Sequence, residues 1–139
     1  MLLVDTNVVL DVVTNDSKRA AWSQSQLDAA ALTQTIAIND VIYSELSLAF
    51  DRIEDLDAMI AKAALHHEPI PRESLFLAAK AFLSYRRKGG AKGGVLPDFF
   101  IGAHAAVLDI PLLTRDTARY ATYFPSLNLI SPEETSRRR

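Results

Sequence analysis

The chain has no cysteine, so neither a disulfide framework nor a thiolate metal site is possible, and the composition agrees with a reducing compartment. It has few chain breakers, five glycines and six prolines, against 49% hydrophobic residues. A chain of this size buries about two-thirds of its unfolded surface, enough for an unstapled core. It also lacks a charge excess: the formal net charge is −2, without the basic surplus that marks many nucleic-acid binders, so any contact with a polyanion must be local. Long apolar runs are missing too. The opening Met1-Leu2-Leu3-Val4-Asp5 reaches a charge at its fifth residue, too early for a signal-peptide core or a spanning helix, and the expectation is a cytoplasmic protein without a membrane segment. No repeat of roughly 20–50 residues is visible, which sets solenoids aside. The 139 residues have the length of one domain, expected over 1–132, with a basic tail at 133–139 ending in Arg137-Arg138-Arg139.

What is present is alternation. Short apolar runs at 2–4, 35–38, 69–70, 111–113 and 127–130 read as buried strands, about five in number. Helical patterns lie between them: one begins directly after Asp5, one runs over 17–31 with Ser17 as its cap, one over 39–50 capped by Asn39 or Asp40, and one over 52–65. Another covers 72–87, where Leu75, Ala78, Ala79, Phe82 and Leu83 recur at helical steps. Pro97 suits the first turn of a further helix, because its missing amide hydrogen would be unpaired there in any case. Strands alternating with helices predict an α/β fold, a mainly parallel sheet covered on both faces, with sites outside the carboxyl ends of the strands.

Four acids fall at that edge. Asp5 ends the first apolar run, Glu45 lies one turn into the helix after the second, Asp98 sits in the first turn of the helix at Pro97, and Asp116 follows the run at 111–113. Singly, each has a structural reading: Asp98 as a helix cap, Asp116 as a turn residue, Glu45 as a solvated helix position. Gathered at one end of one sheet, however, they repel each other and disfavour ionisation, which a divalent cation relieves. Oxygen-only ligands suit magnesium, with manganese as a substitute.

The segments Val4-Asp5-Thr6-Asn7, Ser44-Glu45, Pro97 through Ala105 and Leu113-Thr114-Arg115-Asp116 resemble the PIN-domain nucleases, in particular the VapC-like toxins of toxin–antitoxin pairs. The resemblance spans residues 1–132 and implies a PIN-like three-layer α/β/α sandwich. It implies catalytic roles for Asp5, Glu45, Asp98 and Asp116, with Asp5, Asp98 and Asp116 holding Mg2+, and Asn7 and Thr114 orienting the carboxylates. It further implies a magnesium-dependent endoribonuclease acting on transfer or ribosomal RNA, a VapB-like antitoxin that places a basic, apolar segment in a groove, and a homodimer. The apolar helices at 39–50 and 52–65 could supply the groove or simply pack in the core.

Arg86, Arg87, Lys88 and Lys92 precede Asp98, and Arg115 adjoins Asp116; they are the expected grip on RNA, against the reading of a solvated helix end. Gly89, Gly90, Gly93 and Gly94 give that connection freedom but no Walker-type cradle, since no Gly-Lys-Ser/Thr follows. His66, His67 and His104 read as surface or packing residues. Trp22 and Tyr43 read as core or interface. Two other functions stay open at this level, a PIN-like protein-binding module and a single-stranded DNA nuclease. A phosphotransferase or receiver-like domain is disfavoured because Asn7 stands where a second aspartate would be needed.

Overall fold

The computed structural model describes residues 1–91 and 96–132. Five strands form one sheet: β1 (Leu2–Val4), β2 (Ile36–Ile38), β3 (His66–His67), β4 (Leu112–Leu113) and β5 (Leu129–Ile130). Every pairing is parallel and the order is β3-β2-β1-β4-β5. Successive strand residues point to opposite faces, yet Leu2, Leu3 and Val4 are at most 1% exposed, so helices must cover both sides. The result is the expected three-layer α/β/α sandwich.

Among the described residues the covering helices are α1 (Thr6–Val13), α2 (Ala20–Ala31), α3 (Asp40–Leu46), α4 (Ile53–Lys62), α5 (Arg72–Arg87), α6 (Leu96–Leu108) and α7 (Ala118–Tyr123). Phe99 of α6 ties three of them together, its ring centroid 5.6 Å from Phe82, 5.4 Å from Tyr85 and 5.4 Å from Tyr123. Gly102, one turn further on, lets α6 approach α7: a Cβ there would lie 2.6 Å from the Phe124 ring. The neighbour of Asp98 is thus a packing hub.

Several boundaries differ from the sequence expectation. The third strand is His66–His67, not 69–70, and both histidines are exposed strand residues. Its ladder stops where Glu68 N–H donates to Ile38 at 2.8 Å, because Pro69 has no amide hydrogen to continue it. Helix α2 begins after Ser17; Asp16 accepts from the amides of Lys18 and Arg19 at 3.0 and 2.9 Å, closing a turn that delays the helix. The stretch expected to be helical to residue 50 ends at Leu46 and tightens into a 3₁₀ turn, Ser47–Ala49. On α5, Leu75 and Leu83 are 43% and 44% exposed and Ala79 is exposed as well, while Ala78 and Phe82 face inward as expected, in a stripe shared with Ser74, Ala81 and Tyr85. Helix α7 carried no apolar signature strong enough to be anticipated. Lys92 and the basic tail at 133–139 lie outside the described residues.

No helix among the described residues is long and apolar enough to cross a membrane.

Candidate active site

The order β3-β2-β1-β4-β5 makes β1 and β4 neighbours whose following segments diverge, the arrangement that opens a crevice at the carboxyl ends of an open sheet. Asp5 comes straight off β1 and the Thr114–Asp116 turn straight off β4. The two segments are bonded together: Thr114 Oγ1 donates to Asp5 Oδ2 at 2.8 Å, and the Asp116 amide donates to Thr114 Oγ1 at 3.1 Å. Asn7 lies 3.4 Å through its Nδ2 from both Asp5 Oδ2 and Thr114 Oγ1, and its Oδ1 accepts the Arg115 amide at 3.2 Å. Asn7 and Thr114 therefore both contact the Asp5 carboxylate.

Asp5 is also the N-cap of α1, its Oδ1 accepting from the Thr6 amide at 2.8 Å. Tyr120 of α7 donates to its Oδ2 at 2.9 Å. Despite these donors, burial pushes the Asp5 carboxyl up to about 6, the hydrogen bonds from Thr114 and Tyr120 offset part of that rise, and the nearby Asp98 adds to it. Asp98 is raised as well, chiefly by burial; Arg119 pulls it back, while Glu45 and Asp116 push it up. Asp98 thus raises Asp5 and is itself raised by Glu45 and Asp116, an electrostatic coupling that links the four acids. Glu45 reaches the crevice rim from α3, and Thr6 Oγ1 donates to its Oε1 at 2.6 Å. Asp116 is exposed at the edge.

Two helices that carry acids are locked together below the rim. Asn39 caps α3, accepting from the Ile42 amide at 2.9 Å through Oδ1, so its amide nitrogen is the donor to His104 Nδ1, 3.0 Å away on α6. His104 is fully buried and burial lowers its pKa, so it stands as a neutral packing residue.

The expected RNA-binding cations are differently engaged. Arg115 Nε bonds buried Asp11 at 2.6 Å, and Ser23 Oγ donates to the same carboxylate oxygen at 2.9 Å, so Arg115 braces the β4 turn against α1 and α2. Arg86 donates to the Gly90 carbonyl at 2.8 Å, and Lys88 sits 5.5 Å over the Tyr123 ring. Arg87 is exposed.

Sequence reading missed Thr6, Tyr120, Arg119 and Asp11. Arg119 Nη1 pairs with Asp98 Oδ2, and Tyr120 with Asp5, so both fall on the first turn of α7. Their positions, three and four residues past Asp116, were the available signal, since a helix starting there would aim its first turn at the rim.

Among the described residues no group of three or more acidic or histidine side chains is already drawn together as a metal cage. The donors nevertheless fit a hard divalent ion. They are carboxylate oxygens only, two are held with depressed acidity by burial and by neighbouring acids, and magnesium takes few protein ligands.

A family model described as PIN domain matches residues 2–125. No curated protein matches the chain. In solved structures the chain is similar to a chain of VapBC2 from Rickettsia felis bound to a DNA fragment from their promoter, with TM-score 0.71 and 20% identity over 94% of this chain and 97% of that one. A toxin–antitoxin complex from Klebsiella pneumoniae gives TM-score 0.69 and 20% identity, covering 95% and 98% of the two chains. VapBC-1 from nontypeable Haemophilus influenzae gives 0.68 and 16%, covering 94% and 96%. At such identities these likenesses are of fold.

Proposed function

The chain belongs to the PIN-domain family, a family of nucleases that generally use divalent metal ions, and from that premise we propose that it is a magnesium-dependent endoribonuclease and the toxin of a toxin–antitoxin pair. The observation that carries the reading is Asp5: a buried carboxyl raised to about 6, beside Asp98, at the carboxyl ends of two adjacent strands. A protein accepts such a cost at a functional site.

Asp5, Asp98 and Asp116 are the proposed holders of the ion, manganese being able to replace magnesium. When bound, that ion supplies Lewis acidity, offsetting charge that develops on the phosphate oxygens during hydrolysis. Thr114, Tyr120 and the Thr6 amide hold the Asp5 oxygens in place. Glu45, fixed through Thr6, is proposed to orient the attacking water and take its proton. Arg87 and Lys88 are proposed to follow the RNA backbone, with Arg86 joining them on leaving the Gly90 carbonyl. Arg115 serves better as a brace than as a grip, given its bond to Asp11.

The antitoxin partner is supported by the toxin–antitoxin complexes whose fold the chain shares. Its seat is proposed to be a cavity of about 490 Å³ lined by Val9, Val13, Leu27, Ile36, Met59 and Leu65, between α1, α2 and α4, rather than the pair of helices α3 and α4. A homodimer in the cytoplasm completes the proposal.

Labelled RNA and single-stranded DNA, each incubated with the protein and magnesium, manganese or EDTA, test the activity. Cleavage of RNA with either ion and none with EDTA is expected. DNA cut in preference to RNA would move the assignment to a DNA nuclease, and no cleavage of either would leave a protein-binding module.

A further inference from the structure

The four acids bring strong negative charge to one rim, and among the described residues the cation in ion-pair contact with one of them is Arg119. Arg115, next to Asp116 in sequence, is committed to Asp11 at 2.6 Å. The Arg119–Asp98 pair is neither superficial nor deep, its side chains 29% and 28% exposed, so it is only partly screened by water. Arg119 is held from a second side as well: its guanidinium carbon lies 5.7 Å from the centre of the Tyr85 ring on α5. The next residue, Tyr120, donates to Asp5 at 2.9 Å, so one turn of α7 serves two acids at once.

Resting on the divalent-metal reading above, we propose that Arg119 is a built-in counter-ion, a side chain that neutralises Asp98 in the metal-free chain and must give up that carboxylate when the divalent ion binds. The guanidinium and the ion then compete for the same oxygens, and metal affinity is set partly by the strength of an intramolecular ion pair. The physical basis is linkage: a contact made only in the metal-free state lowers apparent affinity by whatever it contributes to that state. A bracing role makes the opposite claim, because an arginine that orients Asp98 for the ion would strengthen binding.

The test is Mn2+ binding to the full chain, without RNA, by titration calorimetry. Three proteins are compared: wild type, Arg119→Met, which keeps an apolar stem on Tyr85, and Arg119→Lys, which keeps the charge. Arg119→Met is expected to bind Mn2+ about tenfold more tightly, the scale of one charge-assisted hydrogen bond, and Arg119→Lys to stay near wild type. Thermal midpoints with EDTA and with saturating Mn2+ give a second readout: Arg119→Met should lose stability with EDTA and gain more than wild type on adding Mn2+. Unchanged or weaker Mn2+ binding by Arg119→Met overturns the counter-ion role, and so does equal tightening by both variants, which would show that charge is not the cause. If Mn2+ binds none of the three, the metal-dependent reading falls together with this one.

Discussion

Asp5 carries opposite demands. Its burial suits a group that meets a cation, yet in the metal-free protein that burial disfavours the ionised form, and the sign of the resulting pH dependence is fixed. A carboxyl at about 6 in the folded chain and 3.8 in the unfolded one takes up its proton first in the folded state, so stability rises as pH falls from 6 toward 4. Asp5→Asn is therefore expected to be more stable than wild type at pH 7 in EDTA, by up to about 3 kcal/mol, while losing phosphodiester cleavage. The gap in thermal midpoint should close as the pH is lowered through 6; a gap indifferent to pH would refute the account. His104 works the other way. Neutral and buried when folded, it leaves the unfolded chain to take the proton below about 6.5, so it costs stability on acidification. In Asp5→Asn the opposing contribution is gone, and melting followed from pH 7 to pH 5 should show a steeper acid loss than in wild type. Both side chains were visible in the sequence, but only packing reveals which one is raised and which lowered.

Helix ends explain much of what the sequence hid. Helices α1, α4 and α6 close with Asn15, Ala64 and Asp109 in the left-handed region, at φ of 52°, 54° and 53°. Asparagine and aspartate tolerate that conformation, but alanine does not. Ala64 gives no stop signal in the sequence, so the helical pattern runs on to residue 65. The Leu65 amide nevertheless returns to the Ile60 carbonyl at 3.0 Å and terminates α4. Ala64→Gly should accordingly raise stability by about 1 kcal/mol, measured by denaturant midpoint at unchanged slope, the relief of left-handed strain exceeding the added freedom of the unfolded chain. A loss of stability would mean that the strain is not there. The same reasoning accounts for β3 and α7. An exposed two-residue edge strand of histidines has no apolar period to read, and a helix of six residues offers less than two turns of pattern. By contrast β1, β2 and β4 were legible because strands buried on both faces must be apolar throughout, and α6 because Pro97 marks its start.

At the scale of the molecule, a net charge of −2 would have to coexist with the proposed acidic site and the anionic substrate proposed for it, and the chain keeps its acidic and apolar surfaces separate. Asp5 and Asp116 follow β1 and β4, and Glu45 and Asp98 sit on α3 and α6, while the apolar cavity between α1, α2 and α4 is lined by residues that include none of the four. Three of the four acids are legible from the sequence because Asp5 and Asp116 follow apolar strand runs and Asp98 stands in the first turn of a helix, whereas Glu45, near the end of α3, carries no such mark. The cavity is not legible either, since its lining comes from several elements whose apolar residues look like ordinary core. This separation predicts that inhibition and catalysis can be uncoupled. Met59→Glu places a charge at the cavity, where an apolar antitoxin segment would have to desolvate it, a cost of several kcal/mol for an unpaired charge. It should weaken the complex by at least about a hundredfold in a pull-down or calorimetric titration, while RNA cleavage by the free chain stays within about twofold of wild type. Met59 is half-buried, so the thermal midpoint is measured alongside, and Met59→Gln, polar without charge, is expected to fall between the two. If the antitoxin instead binds Met59→Glu as tightly as wild type while both remain folded, its seat lies elsewhere, and the acidic rim itself becomes the surface to test.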